Sequence, residues 1–179
     1  MKIYVTSIGE PTTEICCWQL KRLGFEVILL DETEDWAEKY KKFVSMADDD
    51  CFRVDADVIV NENIWKMLDC NEDNKWLMIQ SYGYDFYRNN IRVTSPIFYS
   101  KKALEIIRKN IDKIDKNRPE TSAWRFSEIN PLTKTCDFIV GMHGFFQGRK
   151  EFKRALKNKE ERKQIEEFDF ELADRLLNL

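Results

Sequence analysis

Between Lys2 and Asp57 three short apolar runs alternate with two stretches of helical periodicity, and this alternation restricts the fold more than any other feature. Lys2 to Ile8 is a β-branched run that stops at Gly9, Phe25 to Leu30 is apolar apart from Glu26, and Cys51 to Val54 leads into Asp55-Ala56-Asp57. The stretch Thr13 to Leu23 follows a helix-start cluster at Pro11-Thr12-Thr13-Glu14 and ends at Gly24, a C-terminal stop. It is expected to place Ile15, Trp18 and Leu23 near one face. Trp36, Tyr40, Phe43 and Val44 recur at helical spacing through Met46. Strand–helix–strand–helix–strand with short connections is the pattern of a parallel sheet covered on both faces. Ligands of such sheets bind outside the carboxyl ends of the strands. Here those ends are Ser7-Ile8-Gly9-Glu10, Asp31 and Asp55-Ala56-Asp57.

The second half is more mixed. Trp76 to Gln80 and Ile91 to Tyr99 read as strands, Lys101 to Lys109 and Glu120 to Ile129 as helices, and Asp137 to Gly141 as a short strand ending near His143. Residues 149–179 read as a charged helical tail. With 179 residues and neither repeat nor low-complexity linker, one domain over 1–179 is expected. Hydrophobic residues are 43% and charged residues 34%, which excludes a disordered chain. No apolar run approaches the roughly 20 residues that span a bilayer, and none at the start resembles a secretory signal. A soluble cytoplasmic protein is expected, in the host cytoplasm for a viral chain.

A net charge of −3 argues against a nucleic-acid partner. The charge is unevenly spread: residues 31–57 hold ten acidic and four basic side chains, residues 145–163 eight basic and three acidic. One segment could offer carboxylates to a cation and the other cations to phosphate, or both could be solvated helix faces. Five cysteines without C-x-x-C spacing point to free, partly buried thiols rather than a zinc site or a secreted disulfide framework, with a disulfide in a heat-adapted host as the alternative.

Asp55-x-Asp57 after an apolar strand carries the most chemistry. Two carboxylates at a strand end can meet a divalent cation, one directly and one through water or a sugar hydroxyl, and hard cations keep positions open for substrate phosphates. Short Asp pairs also occur in turns, where they bond local backbone. His143 is the only histidine, set between Gly141 and Gly144. A lone histidine is as often a satisfied polar residue as a ligand, and as a ligand it favours Mn²⁺ over Mg²⁺.

This layout resembles the nucleotide-sugar-dependent glycosyltransferases of the GT-A fold, with small viral and microbial members nearest in size. The resemblance covers roughly residues 2–148. It implies a Rossmann-like, nucleotide-diphospho-sugar transferase-like domain whose mixed, mainly parallel sheet is flanked by helices. Residues 1–60 would form the nucleotide-binding half and 61–148 the acceptor-binding half. In this family the loop Val5 to Pro11, with Ser7 and Gly9, cradles the nucleoside, and an acidic residue ending the second strand, here Asp31, contacts base or ribose. The third strand delivers the DxD: Asp57 as a direct metal ligand and Asp55 on the metal through water, or on ribose or sugar. His143 completes the metal shell, and Glu120 in Pro119-Glu120-Thr121 matches the acidic residue near the acceptor. The implied cofactor is Mn²⁺ or Mg²⁺, and the implied partners are a nucleoside-diphosphate sugar and a glycan, protein or lipid acceptor.

Arg149 and Lys150 are further candidates for the diphosphate, with a solvated helix as the alternative. Asp31 also reads as a turn cap and Glu120 as an ordinary first-turn residue. Tyr84 and Asp85 are candidates for an acceptor loop, beside an aromatic group of Tyr82, Phe86, Tyr87 and Trp124. Two departures from the family stand out: no Gln-x-x-Arg-Trp follows Glu120, and residues 75–100 carry only Tyr82-Gly83-Tyr84-Asp85 in place of a Gly-Gly segment. A nucleotidyltransferase would need a Gly-rich basic loop after the first strand, and a dinucleotide oxidoreductase G-x-G-x-x-G; neither is present. The non-enzymatic alternative is a nucleotide-binding or structural protein that keeps the fold.

Overall fold

The computed structural model describes residues 1–144 except 11, 32–34, 72, 87, 89 and 117, so Arg149, Lys150 and the expected tail lie outside the described residues. The first half follows the sequence pattern closely: β1 (Lys2–Thr6), α1 (Thr13–Arg22), β2 (Glu26–Leu30), α2 (Trp36–Met46) and β3 (Cys51–Asp55). Gly24, at φ +90°, ends α1 in a backbone conformation that side chains disfavour. The α2 start is fixed by Asp35, whose carboxylate accepts from the Glu38 N–H at 3.0 Å.

After β3 come β4 (Val58–Val60), α3 (Ile64–Asp69), β5 (Met78–Asp85), β6 (Asn90–Tyr99), α4 (Lys101–Lys109), α5 (Pro119–Trp124) and β7 (Thr133–His143). All seven strands form one curled sheet in the order β2-β1-β3-β6-β5-β7-β4, in a single mixed α/β domain flanked by helices. Parallel pairing joins β1 to β2, β1 to β3 and β5 to β7, whereas β3–β6, β5–β6 and β4–β7 are antiparallel. Every antiparallel pair thus includes at least one strand of the second half.

Each face of the sheet carries its own core, as the two-residue period of a strand requires. Ile3, Val5, Phe52 and Val54 pack with Cys16 and Leu20 of α1. Tyr4 and Cys51 face the other way, against Tyr40, Phe43 and Val44 of α2 and Ala103, Leu104 and Ile107 of α4.

Four expected details differ. Ile15 and Trp18 are exposed, at 47% and 57%, because α1 buries the i, i+4 pair Cys16 and Leu20 instead. Trp18 lies on the outer face, where the Arg22 guanidinium stacks on it at 4.7 Å. The helix at Glu120 stops at Trp124, after which the chain turns so that Ile129 is buried. The last strand starts at Thr133 and runs through His143, so the histidine ends a strand rather than sitting on a loop beyond it. Likewise Tyr84 and Asp85 belong to β5, not to a loop.

Candidate functional site

Alternation along β3 puts Arg53 and Asp55 on the same face as Cys51, the face covered by α2, α4 and α5. A strand buried on both sides leaves an arginine there no route to solvent, and the Arg53 side chain is 0% exposed. Burying a guanidinium is tolerable only when its donors meet acceptors and its charge meets anions. Arg53 Nη1 donates to Asp55 Oδ1 at 2.9 Å and to Thr6 Oγ1 at 3.0 Å, Nη2 is ion-paired with Glu120 Oε1, and the group lies 4.9 Å from the centre of the Trp36 ring. Burial pushes the phenols of Tyr40 and Tyr99 up, so both stand beside it as neutral hydroxyls. Burial pulls Asp55 the opposite way from its partners, but Arg53 and His143 prevail and hold it below the usual carboxylate range. One guanidinium therefore gathers Asp55 from the end of β3 and Glu120 from the first turn of α5.

The second cluster is a product of register. Parallel pairing of β5 and β7 sets Asp85 opposite His143, and antiparallel pairing of β4 and β7 sets Val58 opposite the same histidine. Asp57 immediately precedes Val58, and its carbonyl accepts from the Gly144 N–H at 2.9 Å. The imidazole is thereby held between two carboxylates, with Nε2 3.2 Å from Asp57 Oδ2 and Nδ1 3.4 Å from Asp85 Oδ2. Asp85, 1% exposed, is also ion-paired with Arg92. Burial opposes the imidazolium, but hydrogen bonds to Asp57 and Asp85 override it and push its pKa up to about 10. The close approach of β4 to β7 depends on Gly141, where a Cβ would collide with the Ile59 carbonyl.

A cation at this place has to fit that donor set. Among the described residues no group of three or more His, Cys, Asp or Glu side chains could hold a metal ion by itself. Two protein ligands suffice, however, for an octahedral ion that takes its remaining ligands from water and substrate phosphate. Octahedral bonds of about 2.0–2.1 Å put adjacent ligands of such an ion roughly 2.8–3.0 Å apart, a little under the 3.2 Å between His143 Nε2 and Asp57 Oδ2. Asp85 on the other ring nitrogen would fix the tautomer, the arrangement common around metal-bound histidine. Asp57 and His143 thus fit a substrate-completed cation once the imidazole gives up its proton.

The loop after β1 is bound up with itself. Ser7 Oγ lies 2.7 Å from both Glu10 Oε2 and Thr13 Oγ1 and accepts from the Gly9 N–H at 3.0 Å, while Glu10 Oε2 accepts from the Ile8 N–H at 2.7 Å. Lys39, buried in α2, donates through Nζ to the Ser7 carbonyl. Gly9, at φ +87°, is exposed with open space over its Cα, and Asp31 is exposed just past β2.

The structure therefore joins Asp55 to Glu120 and Asp57 to His143, and leaves Asp31 on the surface. Arg53 and Lys39, neither of them among the site residues expected above, are the buried cations of this region. A signal for Arg53 existed: an arginine two residues before Asp55, inside an apolar run, must share that carboxylate's face.

No family model matches the chain, and no curated protein matches it by sequence. Among solved structures it is similar to A197 from STIV, at 14% identity and TM-score 0.57 over 76% of this chain and 82% of that one. It is similar to a 4-diphosphocytidyl-2C-methyl-D-erythritol synthase from Anaerococcus prevotii, at 8% identity and TM-score 0.58 over 89% and 95%. A third is a glycosyltransferase involved in glycosylation of the major capsid of PBCV-1, at 15% identity and TM-score 0.51 over 87% and 98%. The likeness to these structures is one of fold, a single mixed α/β domain with a seven-stranded sheet flanked by helices.

Proposed function

We propose that the chain is a metal-dependent glycosyltransferase that moves a sugar from a nucleoside-diphosphate sugar to a hydroxyl acceptor. The observation that carries this reading is the convergence of Asp57 and His143 at the carboxyl end of β3, at a spacing suited to two ligands of one hard cation. When bound, Mn²⁺ or Mg²⁺ would offset the charge of the departing diphosphate. Asp57 and His143 would hold the ion, and Asp55, fixed by Arg53 and Thr6, would reach the ribose or sugar. Ser7 and Gly9 would line the nucleoside cradle, and Asp31 would read the base or ribose. Arg149 and Lys150 remain candidates for the diphosphate. Glu120, with Oε1 on Arg53, would present its second oxygen to the acceptor hydroxyl as general base.

Nucleotidyl transfer is the competing reading, because a synthase of that fold is among the similar structures. It is disfavoured by the loop after β1. Backbone N–H groups that would cradle a triphosphate are bonded here to the loop's own Glu10 carboxylate and Ser7 hydroxyl.

Both readings are separated by incubating the protein with nucleotide sugars and Mn²⁺ and following sugar release to water, beside sugar phosphates with nucleoside triphosphates. Release of free sugar and nucleoside diphosphate supports glycosyl transfer, whereas pyrophosphate from the second set would replace it. With an acceptor in hand, Glu120→Gln should bind donor yet lose transfer by a factor on the order of 10²–10⁴. Near-native turnover would remove Glu120 as the base.

A further inference from the structure

Cys70 caps the C-terminus of α3 and Cys136 lies in β7, yet their Sγ atoms are 2.8 Å apart. Non-bonded carbons rest about 3.5–4.0 Å apart and sulfur is the larger atom, so these thiols are pressed inside ordinary contact. Cys136 is 3% exposed and Cys70 half-buried, and both are free thiols. Their surroundings also bring them together: both border the core beneath α1 and α3.

We propose that Cys70 and Cys136 are a disulfide-forming pair, a modification site that ties α3 to β7. With a small-molecule disulfide such as oxidised glutathione, the Cys70 thiolate attacks one sulfur of the oxidant and expels one glutathione thiolate. Cys136 then loses its proton and attacks Cys70 Sγ in the mixed disulfide, forming the protein S–S bond and expelling the second glutathione. Two protein thiols are oxidised and one oxidant disulfide is reduced to two thiols, so electrons and protons balance. Burial and the neighbouring Cys70 push Cys136 up to about 12, which makes it the second rather than the first attacker.

The cross-link would pin a specific irregularity. Register between β5 and β7 shifts between Gln80–Thr135 and Tyr82–Ile139 and again before Gly83–Gly141, and Cys136 opens that stretch, with its carbonyl accepting from Ser81 Oγ at 3.2 Å. The same strand then continues to Asp85 opposite His143. A bond between residues 66 apart would also restrict the unfolded chain across most of the second half.

The test is to expose the folded full chain to oxidised glutathione, quench with an alkylating agent in denaturant, and measure intact mass and peptides. Of five thiols, three should remain alkylatable, with a single cross-linked peptide pair containing Cys70 and Cys136. The Tm should rise by on the order of 10 °C and return with dithiothreitol. Cys70→Ser and Cys136→Ala should each abolish both effects. Five alkylatable thiols, a stable glutathione adduct on Cys70 alone, or a bond between other cysteines would each overturn the proposal. An unchanged Tm despite the bond would overturn the stabilising effect given to it, because the cross-link would then not restrict the unfolded chain. Peptide mapping of the unmutated protein decides the pairing even if a variant fails to fold.

Discussion

At the end of β3 two carboxylates only two residues apart are neutralised in opposite ways. Asp55 faces a guanidinium that keeps its charge at every accessible pH and is wholly buried. Asp57 faces an imidazole, whose proton can leave and be replaced by a cation. The difference assigns different work to the two clusters. The arginine cluster is a permanent strut that holds β3, α5 and the loop after β1 in place through Asp55, Glu120 and Thr6. The histidine cluster is the exchangeable one, and the cation of the proposed reaction would be held there.

The strongest way to break the comparison is Arg53→Met. Removing one partner of a buried ion pair leaves Asp55 and Glu120 uncompensated and should cost about 3–5 kcal/mol, a Tm loss on the order of 6–20 °C by calorimetry. Arg53→Met with Glu120→Gln should recover part of that loss, since one uncompensated charge is gone. A single variant within about 1 kcal/mol of the parent would show that the strut bears little of the structure.

Asp57→Asn should act oppositely, sparing the fold and removing Mn²⁺-dependent donor binding. In the parent, donor at a hundredfold excess over its Kd would stabilise by about 2.7 kcal/mol. That shift should vanish in the variant, read by thermal melts with and without Mn²⁺. An unchanged shift would take the cation away from Asp57.

A third experiment varies pH. His143 has its pKa raised from 6.5 to about 10 in the fold, so over that interval the folded chain keeps a proton that the unfolded chain has lost. Its contribution to stability is complete below about 6.5 and fades as pH rises through 10. His143→Gln should flatten this slope, whereas Arg53 variants should leave it intact. Mn²⁺ affinity should change in the opposite sense, increasing with pH as the ring nitrogen is freed. Parallel slopes in parent and His143→Gln would refute the exchangeable role.

The smallest effect is expected at Asp31, which is exposed and belongs to neither cluster. Asp31→Ala should weaken nucleotide binding by no more than about fivefold, roughly the value of one hydrogen bond. Titration calorimetry with nucleoside diphosphates checks this, and equal affinities would leave Asp31 a turn residue.

Sequence alone determined the local architecture of the first half. Period-two and period-3.6 patterns and the stop at Gly24 act between near neighbours, and α2 falls at Trp36–Met46 as read, as does α4 of the second half at Lys101–Lys109. It also singled out Asp55, Asp57, His143 and Glu120, because charged or ring-nitrogen side chains at element ends are conspicuous. It did not show that Ile15 and Trp18 point outward, that β7 extends from Thr133 to His143, or which carboxylate each cation meets. Those outcomes are decided by tertiary structure. Asp85 and Asp57 reach His143 only because β5 and β4 flank β7 in a particular register, and Arg53 reaches Glu120 only because α5 packs on the face that alternation gives to residue 53. Partners tens of residues apart are chosen by strand register and helix packing, which depend on burying both faces of the sheet at once and leave no periodic trace in the chain.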